Sequence, residues 1–144
     1  AALTEQLARH DIAIATTAPA SRPVPAAAEL RRAGVRLCAG SDGIRDTWGP
    51  YGNLDMLERA LFIGLRNNFR NDSDVEYALQ VCTQGGADVM ELKDYGLREG
   101  AFADIVLVEA ETVPEAVAAR PRRKLVLKRG KPVARYGQPL FTVE

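Results

Sequence analysis

Hydrophobic positions change their period along this chain, and each change marks a different kind of element. Over residues 3–10, Leu3 and Leu7 stand four apart among Thr4, Glu5, Gln6 and Arg9, the spacing of one helical face. Asp11 leads into Ile12-Ala13-Ile14-Ala15, an all-apolar run of the length of a buried strand. Residues 16–25 hold Pro19, Pro23 and Pro25, which breaks regular hydrogen bonding and predicts a loop. Residues 26–33 are Ala-rich helix formers closed by Gly34, and Val35-Arg36-Leu37-Cys38-Ala39 predicts a second strand. Helix, strand, loop, helix, strand is the order of a parallel α/β unit with a right-handed crossover.

The second strand runs into a Gly-rich loop over residues 40–52 that holds the only tryptophan, Trp48, and two acids, Asp42 and Asp46. Asn53 is placed to cap a helix running to about residue 68, with Leu54, Leu57, Leu61 and Leu65 as its buried stripe. Asp72-Ser73-Asp74 starts another helix through Val75, Leu79 and Cys82, and residues 83–92 form a third, interrupted by Gly85-Gly86. After Asp94-Tyr95-Gly96 the pattern turns strand-like. Residues 104–109 read as a strand, 114–119 as a short helix and 124–128 as a strand alternating apolar with basic residues. Arg129-Gly130-Lys131-Pro132 then turns the chain into a hairpin completed by Val133-Ala134-Arg135-Tyr136. A boundary near residues 95–100 separates an α/β part, 1–95, from a β-rich part, 96–144.

At 144 residues the chain has room for one ordinary domain. With 47% apolar and 26% charged residues it reads as soluble and globular, neither disordered nor fibrous. Nineteen Lys and Arg balance nineteen Asp and Glu, so no net field draws it to nucleic acid or an acidic membrane. No apolar run approaches the roughly 18 residues of a spanning helix. Cys38 and Cys82 lack CxxC spacing and read as buried thiols of a reducing, cytoplasmic compartment. The opening Ala-Ala-Leu-Thr has neither an initiator Met nor a leader pattern, so the expectation is that sequence upstream has been removed.

Loops at the carboxyl ends of parallel strands are where α/β enzymes place their sites. Asp42, just past the second strand and flanked by Gly40 and Gly43, suits a metal ligand or proton carrier; the plainer reading is a turn aspartate. Trp48 can wall a planar substrate or anchor its own loop. Asp46 orients a neighbour or caps the following turn, and the cap is the favoured reading. His10 is the only histidine, so the chain cannot assemble a histidine metal cluster, and a helix end makes it a solvated or capping residue. Arg120, Arg122, Arg123, Lys124, Lys128, Arg129 and Lys131 crowd twelve positions, but eight acids stand just upstream over residues 87–115 and no aromatic lies among the basic residues. A solvated or ion-paired sheet edge fits better than a nucleic-acid surface.

Two stretches together resemble the metal-dependent amidohydrolase superfamily, and within it the cytosine deaminase-like group that also holds N-isopropylammelide amidohydrolases. The first is Val35 through Trp48, read as G-x-D-x-x-x-D-x-W after a strand. The second is Leu97-Arg98-Glu99-Gly100-Ala101-Phe102-Ala103-Asp104-Ile105-Val106-Leu107-Val108, followed by Gly130-Lys131-Pro132-Val133. The resemblance implies the α/β class: the C-terminal part of a (β/α)8 TIM-type barrel over residues 1–95, with about two of its strands, and part of a small composite β-sandwich over 96–144. It implies hydrolytic C–N cleavage on one divalent ion, Zn or Fe, with Asp42 as metal ligand and proton shuttle and Trp48 near a heterocyclic substrate. Gly43 departs from the second acid that some cytosine deaminases carry there.

A (β/α)8 barrel needs about 250 residues. The chain is therefore expected to pair with a missing N-terminal part of the same protein, and to be inactive alone because one carboxylate holds no ion. The partners expected are a small heterocyclic substrate and further copies of the protein, with no nucleic acid or membrane. A non-catalytic α/β interaction or oligomerisation module is the alternative, as is an amide or cyclic imide substrate within the same superfamily.

Overall fold

Residues 2–141 are described by the computed structural model of this chain. Helix α1 (Ala2–Arg9) ends in a left-handed turn at Asp11, φ 52°, with the Ile12 N–H donating back to Leu7 O at 2.9 Å. That turn takes up Ile12, so strand β1 is Ile14–Thr16, later than the 12–15 expected from the apolar run. Helix α2 (Ala27–Arg32) buries Ala27 and Leu30. Gly34, at φ 75°, lets the Val35 N–H return to Leu30 O at 2.9 Å. Strand β2 is Leu37–Ala39, shorter than the 35–39 expected, and it pairs in parallel with β1 in the register Ile14↔Leu37, Ala15↔Cys38, Thr16↔Ala39. The parallel crossover through α2 is thus present.

Helix α3 (Met56–Arg66) is capped by Asp55, whose carboxylate accepts from Leu57 N at 2.9 Å and Glu58 N at 3.1 Å. Asn53, the expected cap, stands outside the helix, accepting from Asp55 N and donating to Glu58 Oε1, both at 2.8 Å. The buried stripe is accordingly Leu57, Ala60 and Ile63, while Leu54 and Leu65 are 74% and 64% exposed. Helix α4 (Asp72–Cys82) is capped by Asn71 and buries Ala78, Val81 and Cys82. It packs along α3, each bringing a fully buried alanine, Ala60 and Ala78. Helix α5 (Gln84–Val89) contains both Gly85 and Gly86 rather than being broken by them, and it stops short of the expected residue 92. A side chain on Gly85 would put its Cβ 2.4 Å from Leu37 O, so the glycine is what lets α5 lie on β2. Cys82 is buried, but Cys38 is only half-buried, against the expectation of two buried thiols.

The remainder is a four-stranded antiparallel sheet in the order β3 (Ile105–Val108), β4 (Arg123–Lys128), β5 (Lys131–Arg135) and β6 (Gln138–Pro139). The β4–β5 turn is just Arg129 and Gly130, φ 49° and 76°, so Lys131 and Pro132 belong to the strand. The Asp104 carboxylate holds this turn, accepting from the Arg129 N–H at 2.6 Å and from the Lys128 ammonium. The Gly130 N–H donates to Ala103 O at 2.9 Å. This gives the Ala-Asp step of the second motif a structural purpose.

Helix α6 (Val113–Ala119), capped by Thr112, buries Ala116 and Val117 in the core formed by α2, α3, α4 and β2. Arg123 on β4 pairs with Asp55 at the start of α3. Together with Lys124–Glu109 at 3.8 Å and Lys128–Asp104, this leaves three of the seven basic residues ion-paired, but on β4, which is flanked by β3 and β5 and so is an inner strand rather than the expected sheet edge. The chain is mixed α/β, and no helix among the described residues is long and apolar enough to cross a membrane.

Candidate active site

Because β1 and β2 are parallel, their carboxyl ends open on the same side, and the segments that follow, 17–19 and 40–52, stand together there. Two adjoining clefts of about 360 and 490 Å³ occupy this end and share Thr17, Pro19 and Asp42. Asp42 therefore sits at the junction of both, its side chain exposed and its backbone left-handed at φ 59°. Asp tolerates that conformation better than most residues because its short polar side chain bonds locally.

The loop is self-organised. Asp46 Oδ1 accepts from the backbone N–H groups of Trp48 at 2.9 Å and Gly49 at 3.3 Å, the turn cap read from sequence. The Arg45 N–H donates to Tyr51 O at 2.9 Å. Gly52, at φ 104°, brings the loop's far end so close that a Cβ there would lie 2.2 Å from Gly43 O. Trp48 and Tyr51 line the smaller cleft and are 95% and 86% exposed. Trp48 is therefore at the rim and does not pack as its loop's hydrophobic anchor.

Sequence reasoning missed Arg59, which looks like an ordinary polar position on α3. Its Nη1 donates to Thr17 O, just past the end of β1, and its guanidinium lies 5.4 Å from the Phe62 ring centroid while lining the smaller cleft. Its Nε is sealed from solvent without an acceptor among the described residues. The only advance signal is its position one turn after the capping Asp55, too common a pattern to single it out.

The thiols are poor candidates for chemistry. Burial pushes Cys82 up to about 12, the nearby Arg59 charge opposing only part of that rise, and burial also raises Cys38. His10 lies beyond the end of α1, four residues before β1 and hence at the opposite end of the strand from Asp42. No group of three or more His, Cys, Asp or Glu that could hold a metal ion exists among the described residues.

A parallel pair ending on an aspartate-bearing loop, followed by an antiparallel sheet, is compatible with the amidohydrolase resemblance of the sequence. Residues 2–134 match the model of the Amidohydrolase family, and the chain belongs to that family, on its cytosine deaminase-like side. It is 51% identical to the N-isopropylammelide isopropylaminohydrolase of Burkholderia multivorans ATCC 17616, superposing with a TM-score of 0.93 over 96% of this chain and 36% of that one. The 5-methylcytosine deaminase of Klebsiella pneumoniae, liganded with 5-fluorocytosine, gives a TM-score of 0.71 at 30% identity over 84% of this chain and 29% of that one. N-isopropylammelide isopropyl amidohydrolase of Pseudomonas sp. (strain ADP) is 32% identical over 117 residues, 81% of this chain and 28% of that protein. The chain thus spans about a third or less of the relatives it matches.

Proposed function

We propose that this chain is the C-terminal part of a longer amidohydrolase that removes an amino substituent hydrolytically from a nitrogen heterocycle, a pyrimidine or a triazine. In this reading residues 1–95 contribute two strands of a (β/α)8 barrel and residues 96–144 part of a β-sandwich. The single observation that carries it is Asp42 at the carboxyl end of β2, at the junction of the two clefts. The relatives, named for action on N-isopropylammelide and on 5-methylcytosine, supply the substrate class.

The residues take distinct parts. Asp42 receives a proton from the attacking water on a carboxylate oxygen and returns it to the departing nitrogen. Trp48, at the rim, covers the planar face of the ring. A zinc or iron ion bound in the whole protein would make water a far stronger acid, with its pKa lowered to about 7, and Asp42 is the ligand this chain contributes.

The test is an Asp42→Ala exchange in the whole protein, with turnover of a panel of aminopyrimidines and aminotriazines and metal content measured together. The expected result is a loss of about 10²–10⁴-fold in kcat, the range of a removed acid–base group, with reduced metal content. Near-normal turnover and metal content together would overturn the assignment.

A further inference from the structure

Resting on the heterocycle reading above, we propose that Asp46 is a specificity-determining residue whose Oδ2 accepts a hydrogen bond from a ring or exocyclic N–H of a neutral heterocycle lying beside Asp42. An ionised carboxylate has acceptor sites on both oxygens. In Asp46 they are divided: Oδ1 is committed to the Trp48 and Gly49 N–H groups, and Oδ2 has no partner among the described residues.

Position 43 shows where Oδ2 stands. A Cβ built on Gly43 would lie 2.1 Å from Asp46 Oδ2 and 2.8 Å from its Cγ. The carboxylate occupies the space into which a side chain at 43 would grow, directly after Asp42. It cannot swing aside freely, because doing so would break the two backbone bonds that close the turn. Gly43 and the fixed direction of Oδ2 are therefore one arrangement, in which the missing side chain at 43 leaves room for an acceptor delivered from 46. Asp42, Gly43, Asp46 and Trp48 line the same cleft of about 360 Å³.

The charge of the cleft narrows the ligand. With two carboxylates facing one guanidinium, Arg59, an anionic ring is disfavoured and an N–H donor favoured. Because the Trp48 backbone is bonded to Oδ1 of the same carboxylate, the ring's edge at Oδ2 and the indole at the rim are set by one residue.

The exchange Asp46→Asn isolates the feature: its Oδ1 can still close the turn, while Oδ2 becomes an NH2 donor. Asp46→Ser keeps one turn-closing oxygen and removes the second atom altogether. In the whole protein, kcat/KM is compared for a substrate with a ring N–H and its N-methyl counterpart, with Tm and Trp48 emission reporting the turn. The wild type should favour the N–H substrate by about tenfold or more, the size of a hydrogen bond to a charged group. Both variants should lose that preference with unchanged Trp48 emission.

A preference retained in either variant would overturn the inference. So would a preference lost only where the emission has shifted, since Asp46 would then serve the turn alone. Wild-type protein that hydrolyses no heterocycle would remove the functional reading and this inference with it, whereas turnover with an unaltered ratio would remove only the inference.

Discussion

Gly85 and Gly86 are neighbours in sequence but face opposite demands. The Leu37 carbonyl that a Cβ on Gly85 would meet is backbone of β2 and cannot move away, whereas Gly86 has only Met90 Cε nearby, at 4.0 Å. Gly85→Ala should therefore destabilise the fold by about 1–3 kcal/mol, the usual cost of overpacking. Gly86→Ala should be neutral or stabilising by up to about 1 kcal/mol through helix propensity, and urea unfolding of the two variants separates the cases. Asp104 gives a pH signature. Its bond from Lys128, and then that from Arg129, hold its carboxyl below the ordinary range. The folded pKa lies below the unfolded one, so the contribution is present above the unfolded value, about 3.9, and is lost as pH falls through the folded one. Asp104→Asn should flatten the acid limb of a Tm-against-pH curve. The Asp46 cap and the position of Asp42 just past β2 were legible in sequence because both follow from local chain chemistry after a strand. Arg59 and Gly85 were not, since their roles depend on which distant carbonyl, Thr17 or Leu37, the fold brings to them.

At the level of elements, the parallel pair and most of the helices could be read from apolar period, while the buried face of α3 could not. Counting leucines selects Leu54, Leu57, Leu61 and Leu65, but Leu54 precedes the Asp55 cap, and the stripe facing α4 is built partly from alanine. Small residues carry little hydrophobic signal yet set how closely two helices approach. Ile63→Ala should cost about 2–5 kcal/mol through the cavity it leaves, and Leu65→Ala no more than about 0.5 kcal/mol. Thermal unfolding that reversed this order would contradict the assigned face. The Asp55–Arg123 pair, 68 residues apart, was equally invisible in sequence; it joins the first turn of α3 to the sheet. Asp55→Ala removes that link together with a helix cap, itself worth about 1 kcal/mol, and should lower Tm more than Asn71→Ala, which removes only a cap.

Across the whole molecule, large apolar side chains stand open: Leu97 is 88% exposed, besides Trp48 and Tyr51, and the sheet of β1 and β2 has just two strands. Both outer edges of that sheet are unpaired among the described strands, a template for further pairing. The isolated 144-residue chain should accordingly self-associate as its concentration rises, seen by light scattering, and should show no hydrolytic turnover. A strictly monomeric or active preparation would contradict this. Family membership was legible because two motifs keep their order and spacing. A substrate was not, because the chain spans only about a third of the relatives it matches. The seating of α6 has a practical corollary. Since α6 packs on α3 and α4 and buries Ala116 and Val117 in the core, a protease nick at 96–103 would separate the peptides on a denaturing gel while they still migrated together through a sizing column. Co-elution of the two peptides after such a cut is the expected outcome, and their separation on the column would show that the covalent link is needed.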